Sequence, residues 1–79
     1  MNIITIKTGQ FYDGDYTEYV FKTLKDRREI FDENLNLTPE FIKFLKEYHY
    51  DNLLYQYDYN RQYFEIDFYY EDNIDEVIF

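Results

Sequence analysis

Residues 63–71 read Tyr-Phe-Glu-Ile-Asp-Phe-Tyr-Tyr-Glu. Apolar and acidic side chains alternate along this stretch, and a period of two residues is typical of a strand with one buried and one solvated face. The buried side is expected to hold Phe64, Ile66 and Phe68. The open side is expected to hold Tyr63, Glu65, Asp67, Tyr69 and Glu71.

A similar alternation precedes this stretch. Tyr55, Tyr57 and Tyr59 are separated by polar residues, and Asn60-Arg61 lies between the two runs. This arrangement favours an antiparallel hairpin. In such a hairpin, Asp58 would stand on the neighbouring strand, beside the acidic side chains.

A helix is predicted from Thr38-Pro39-Glu40 to about His49 or Tyr50. Thr38 is a good N-cap, a proline suits the first helical position, and an acidic residue suits the positive end of the helix dipole. The apolar residues that follow recur at helical spacing, with lysines on the other side. They are Phe41, Phe44, Leu45 and Tyr48.

The first third of the chain predicts strands. Residues 2–8 are rich in β-branched side chains and close at Gly9, and Asp13-Gly14 is a turn signal. Residues 15–24 alternate like a strand, although a capping box at their start would also permit a helix. We favour the strand, because the turn sets up a hairpin. Residues 25–37 are charged and form either a short strand or a connection.

These elements predict a single domain over residues 1–79. Its fold class is α+β: a small antiparallel sheet with one main helix packed on one face. Hydrophobic residues make up 46% of the chain and aromatic residues 24%, which is too apolar for a disordered acidic segment.

The negative charge is concentrated at one end of the chain. The net charge is −9. Residues 51–79 contribute −7, from eight carboxylates and the single base Arg61, whereas residues 1–50 hold nine acids and seven bases. A folded surface with that bias repels nucleic acid and attracts basic protein surfaces. We therefore expect no direct binding to nucleic acid.

The predicted strand spaces its carboxylates regularly. Side chains two residues apart lie about 6.6 Å from each other on one face, an interval that resembles the charge repeat of a nucleic-acid backbone. Asp72, Asp75 and Glu76 would extend the row, and Tyr63 and Tyr69 would pack on a partner. Acidic residues are also ordinary on the wet face of an antiparallel sheet, and this alternative stays open.

Nothing in the chain predicts catalysis, a cofactor or a metal. The sequence has no cysteine or serine and a single histidine, His49, so no Ser or Cys nucleophile can be activated. The carboxylates of residues 13–18 lie near the Asp-Gly turn, and turn formation explains them without a metal. The one basic cluster is interrupted by acids, which favours internal pairing. It consists of Lys22, Lys25, Arg27 and Arg28.

The expected location is the cytoplasm of a bacterial cell. No apolar run approaches the roughly 18 residues needed to cross a bilayer, and the first residues lack the features of a signal peptide. Serine, alanine and tryptophan are absent, and the residue types used instead (Asn, Ile, Lys, Phe and Tyr) have AT-rich codons, which is typical of some bacterial and phage genomes.

In size, charge, aromatic content and composition, the chain resembles the small acidic inhibitors of phages and mobile elements. These include DNA-mimic anti-restriction proteins, uracil-DNA glycosylase inhibitors and anti-CRISPR proteins; no motif is shared. The resemblance implies an inhibitor whose partner is a basic nucleic-acid-binding protein, such as a CRISPR effector or a restriction enzyme. An immunity protein or antitoxin against a basic nuclease toxin is the alternative, and a structural or assembly protein is the third.

Overall fold

The computed structural model of the protein describes residues 1–10, 13–72 and 79. In chain order it contains β1 (Asn2–Gln10), β2 (Asp15–Thr23), a 3-10 turn (Arg27–Glu29), α1 (Pro39–Glu47), α2 (Asp51–Tyr59), a second 3-10 turn (Arg61–Tyr63) and β3 (Phe64–Tyr70).

The three strands form one antiparallel sheet in the order β2-β1-β3. The first strand is therefore the central one, which agrees with its β-branched composition. Its inward-facing Ile4 and Ile6 are completely buried. The predictions of a strand at residues 2–8, a strand at residues 15–24 and a hairpin between them are confirmed, although β1 continues through Gly9 to Gln10.

Gly9 lies where β1 and β2 approach closely. It has a φ of 124°, and a Cβ on it would lie 2.7 Å from the backbone oxygen of Asp15. We expect Gly9→Ala to lower the free energy of unfolding by about 2 kcal/mol, because the variant must relieve both a steric overlap and an unfavourable φ. Urea denaturation measures this loss.

Gly14→Ala is the matched control for that variant. Gly14 also has a positive φ, 74°, but a Cβ on it would meet no atom within 4 Å. We expect a loss of only about 1 kcal/mol, from backbone strain alone. Equal losses in the two variants would contradict the steric explanation for Gly9.

The predicted helix is confirmed as α1, which ends two to three residues earlier than expected. Thr38 caps it: its Oγ1 accepts a hydrogen bond of 3.3 Å from the backbone N–H of Phe41, and Pro39 is the first helical residue. After the helix, His49 adopts a φ of 61°. That left-handed conformation turns the chain and separates α1 from the next element.

The predicted strand over residues 55–59 is wrong, because these residues belong to α2. Leu53, Leu54 and Tyr57 are buried in the core, whereas Tyr55 and Tyr59 are exposed. The buried positions follow helical spacing, and their burial against the sheet outweighs the strand propensity of the tyrosines.

Both helices cover the same face of the sheet. The hydrophobic core contains residues from all three strands, from both helices and from the connection before α1. Phe21 of β2 is central to it, with ring centroids 5.7 Å from Phe41, 6.0 Å from Phe44 and 5.1 Å from Tyr50. The predicted α+β class with an antiparallel sheet is confirmed, and the cover consists of two helices instead of one main helix.

The predicted partner of the last strand is also wrong. β3 pairs with β1, from Asn2 opposite Tyr70 to Thr8 opposite Phe64. The connection at residues 25–37 holds the first 3-10 turn and an isolated antiparallel bridge between Phe31 and Leu37. Among the described residues, no helix is long and apolar enough to cross a membrane.

Candidate functional site

The helices pack on one side of the sheet, and we call the other side the open face. It is only partly open, because Ile3 of β1 is 2% exposed there. The strand registers define three rows across it. From β2 through β1 to β3, the rows are Glu18-Lys7-Glu65, Val20-Thr5-Asp67 and Lys22-Ile3-Tyr69.

The carboxylates of β3 and of the residues directly after it form what we call the β3 acidic row: Glu65, Asp67 and Glu71, followed by Asp72 in the bend after the strand. All four residues are exposed. Glu71 continues the strand beyond its last residue, because its backbone N–H donates to the Met1 carbonyl at 2.9 Å. Strand geometry places Glu65 and Asp67 about 6.6 Å apart and Glu71 about 13 Å beyond Asp67.

The acidic row has few cationic neighbours. Asp67 lies opposite Thr5, Glu65 faces Lys7, and the α-ammonium group of Met1 donates to the Glu71 carbonyl at 3.1 Å. The Lys7 Nζ lies 5.2 Å from the centre of the Tyr16 ring on β2, so the ammonium group leans away from β3. Among the described residues, no ion pair joins the row to a lysine or arginine. An ion pair does form elsewhere in the described structure, between Lys25 and Glu40 at 3.7 Å.

The two predicted contact tyrosines have different settings. Tyr69 lies on the open face of β3 and is 48% exposed. Tyr63 is also exposed, but it lies in the 3-10 turn before β3, so its placement on the strand was wrong. Tyr69 is therefore the tyrosine that the strand carries on the same side as Glu65 and Asp67.

The remaining acidic predictions fall elsewhere. Asp58 does not stand beside the row, because it lies on α2, which packs against the opposite face of the sheet. Asp75 and Glu76 lie outside the described residues.

The sequence-based site omitted the other side chains of the open face. Lys7 and Lys22 bring positive charge to it, Glu18 adds a carboxylate at its far side, and Val20 is half exposed. The alternation within β1 and β2 assigns these residues to one face, but their position relative to Glu65 depends on which strands pair. The open face as a whole is mixed, and its acidic part is the β3 edge.

A loop at residues 32–36 lies beside that edge and is ordered by Asp32. The Asp32 Oδ1 accepts hydrogen bonds from the backbone N–H groups of Asn34 at 2.8 Å and Asn36 at 2.9 Å. The pKa of the Asp32 carboxyl lies below its usual range, chiefly because the Asn36 backbone N–H donates to it. Desolvation raises this pKa. It is lowered further by the Asn34 N–H, by the Asn36 side-chain amide and by the charge of Arg61.

Asp32 should make stability depend on pH. A carboxylate whose pKa is depressed in the folded state contributes stability that is complete above its unfolded pKa, near 3.9, and is lost as the pH falls through the lower folded value. Asp32→Asn keeps an oxygen acceptor but removes the charge. Urea denaturation measures the difference in unfolding free energy between the wild type and this variant. We expect that difference, in favour of the wild type, to be larger at pH 5 than at pH 2.5. An equal difference at both pH values would contradict the role of the charge.

Arg61 holds the same loop from the other side. Its Nε donates to the Tyr57 carbonyl, its guanidinium lies 3.6 Å from the centre of the Tyr57 ring, and its terminal nitrogen donates to the Asn36 side chain at 3.3 Å. The single base of the last third of the chain is therefore held by Tyr57 and Asn36, and among the described residues it forms no ion pair with the acidic row.

Other kinds of site have little support in the described ranges. No three His, Asp or Glu side chains come together there in a group that could hold a metal ion. Lys25 of the basic cluster pairs with Glu40, and the Arg27 guanidinium lies 4.7 Å from the centre of the Phe31 ring.

Comparison of the chain with protein-family models, with curated proteins and with solved structures gives no match.

Proposed function

We propose that this protein binds and inhibits a nucleic-acid-binding enzyme, with the β3 acidic row taking the place of nucleic-acid phosphates. The observation that carries the proposal is the exposed row itself, which has no ion pair to a base among the described residues. Crowded like charges oppose folding. A partner with arginine and lysine side chains would relieve that repulsion on binding.

The chemistry of the row fits a phosphate-binding groove. Arginine forms charge-assisted hydrogen bonds with carboxylates and phosphates alike, because both present paired anionic oxygens. Tyr69 adds a half-exposed aromatic ring beside Asp67, and tyrosine is enriched among residues that dominate binding energy. The row thus offers charge for steering and an aromatic group for packing.

Within this class, we propose a phage anti-CRISPR or anti-restriction inhibitor that acts in the bacterial cytoplasm. This choice rests on the resemblance in size, charge and composition. A CRISPR effector or restriction enzyme carries a basic channel for its duplex, and a small acidic domain can occupy that channel.

The proposal is tested by capture and competition. The tagged protein is incubated with a bacterial lysate at low and moderate salt, and the recovered proteins are identified by mass spectrometry. We expect CRISPR or restriction components, with less recovered at moderate salt because electrostatic association weakens. Purified captured enzyme should then lose its binding to duplex DNA as the protein is added.

Other outcomes assign other functions. Capture of one nuclease toxin, with protection from that toxin alone, would identify an immunity protein or antitoxin. A mass that rises with concentration in light scattering, without affinity for basic proteins, would identify an assembly protein. The first result would overturn the choice of a phage inhibitor of CRISPR or restriction enzymes. The second would overturn the inhibition of a nucleic-acid-binding enzyme altogether.

A further inference from the structure

β3 is an edge strand whose only strand neighbour in the described sheet is β1. Met1 and Glu71 exchange both backbone hydrogen bonds, at 2.9 and 3.1 Å. Because the bonding direction alternates along an antiparallel strand, Asp67 and Tyr69 also point their N–H and C=O groups toward β1. The groups of Ile66 and Phe68 then point outward, where no described residue bonds them.

A cleft of about 270 Å³ runs beside this edge. One wall is β3 itself, and the other is the loop ordered by Asp32 and Arg61. The lining residues are Asn34, Leu35, Arg61, Phe64, Glu65 and Ile66. An open strand edge next to a cleft is the setting in which an extended peptide adds to a sheet: backbone hydrogen bonds provide affinity, and alternate side chains provide specificity.

The charges along the β3 edge determine which peptide segments can bind there favourably. Side chains of an added strand would lie about 5 Å from Glu65 and Asp67 on the open face, where opposite charges stabilise and like charges destabilise. Intervening side chains would lie toward Leu35 and Phe64, which favours apolar residues. The positive charge of Arg61 in the cleft is offset by nearby Asp32.

A second copy of the chain fits poorly. When two β3 strands pair antiparallel with complete overlap of residues 64–70, the two Asp67 side chains lie directly opposite each other. Such a like-charge pair is unfavourable on an exposed sheet face. The same acidic side chains that disfavour self-pairing favour a basic strand.

We infer that β3 is a docking edge for an extended segment of the partner protein in which lysine or arginine alternates with apolar residues. The segment adds as a fourth strand, bonds the outward groups of Ile66 and Phe68, and pairs its bases with Glu65 and Asp67. This inference rests on the proposed function and specifies how the basic partner is held.

Amide hydrogen exchange followed by NMR tests the inference. The probe is a capped seven-residue peptide that alternates lysine and valine, and the control peptide has the same composition with the lysines grouped together. With saturating alternating peptide, we expect exchange of the Ile66 and Phe68 amides to slow at least tenfold. The amides of Asp67 and Tyr69, already bonded to β1, should change little.

A charge-neutral variant checks the selectivity of the edge. Glu65→Gln combined with Asp67→Asn keeps the shape of both side chains, so we expect the alternating peptide to bind about tenfold more weakly. The grouped peptide should bind wild type at least tenfold more weakly than the alternating one. Equal affinity of the two peptides would overturn the strand-addition geometry.

The possible failures are distinguishable. Two results would overturn the docking edge and leave the proposed function standing. One is binding of the peptide or the partner without slower exchange at Ile66 and Phe68. The other is no peptide binding at millimolar concentration while the captured enzyme still binds. Slower exchange that appears with rising protein concentration alone would assign the edge to a second copy and overturn the inference. Failure of the capture experiment to yield a nucleic-acid-binding enzyme would overturn the proposed function.

Discussion

Reversing Glu65 and Asp67 to lysine is expected to weaken binding to the captured enzyme by about 100-fold at low salt, or about 2.7 kcal/mol. The change replaces two attractive contacts with repulsive ones. It also puts positive charge on β3, which otherwise carries no base, and places it next to Lys7 of β1. Titration calorimetry at two ionic strengths measures the loss, which should shrink as salt increases.

A matched control separates local charge from net charge. Glu47→Lys with Asp58→Lys makes the same change in net charge, and both residues are exposed on the helices that cover the opposite face of the sheet. Lysine is also favourable near the C-terminal end of a helix, so this variant should fold. We expect its affinity to stay within about threefold of the wild type. Equal losses in both variants would show that net charge, and not the β3 acidic row, controls binding.

Replacing Phe21 with alanine is expected to lower the free energy of unfolding by about 4 kcal/mol. Phe21 is 1% exposed and makes edge-to-face contacts with Phe41, Phe44 and Tyr50. The substitution leaves a cavity where β2, α1 and the start of α2 meet. A chain of this length has roughly 4–12 kcal/mol of stability in total, so the variant should be near the limit of folding.

Thermal unfolding followed by circular dichroism measures this loss, as a decrease in Tm of about 16–32 °C. Tyr59→Ala is the control, because Tyr59 is 73% exposed on α2 and alanine favours helix. We expect that variant to change the unfolding free energy by no more than about 0.5 kcal/mol. A small effect of Phe21→Ala would show that the aromatic cluster does not hold the helices on the sheet.

Local signals in the sequence predicted several elements correctly. The Thr38-Pro39 start of α1 depends on hydrogen bonding and backbone geometry within one turn. The alternation at residues 64–70 correctly separates the core side of β3, with Ile66 buried, from the exposed Glu65 and Asp67. Both signals depend on interactions within a few residues, so they do not depend on how the rest of the chain folds.

The α2 segment shows where local signals fail. The alternating tyrosines at residues 55–59 favour a strand, while Leu53, Leu54 and Tyr57 form a helical stripe. Neither a short helix nor an isolated hairpin is stable by itself in water, because both gain most of their stability from packing. The local pattern therefore does not decide between them. The free sheet face formed by β1, β2 and β3 decides the outcome, since it buries the helical stripe.

The sequence by itself determined the amount and the segment of negative charge, the two-sided character of β3 and the start of α1, because each is set by composition or by neighbours along the chain. Only the tertiary structure decided that β3 lies at a sheet edge against β1, and that Lys7 faces Glu65 while Thr5 faces Asp67. Strand pairing joins residues about 60 positions apart, and it is selected by burial of the whole core; no local pattern contains that information.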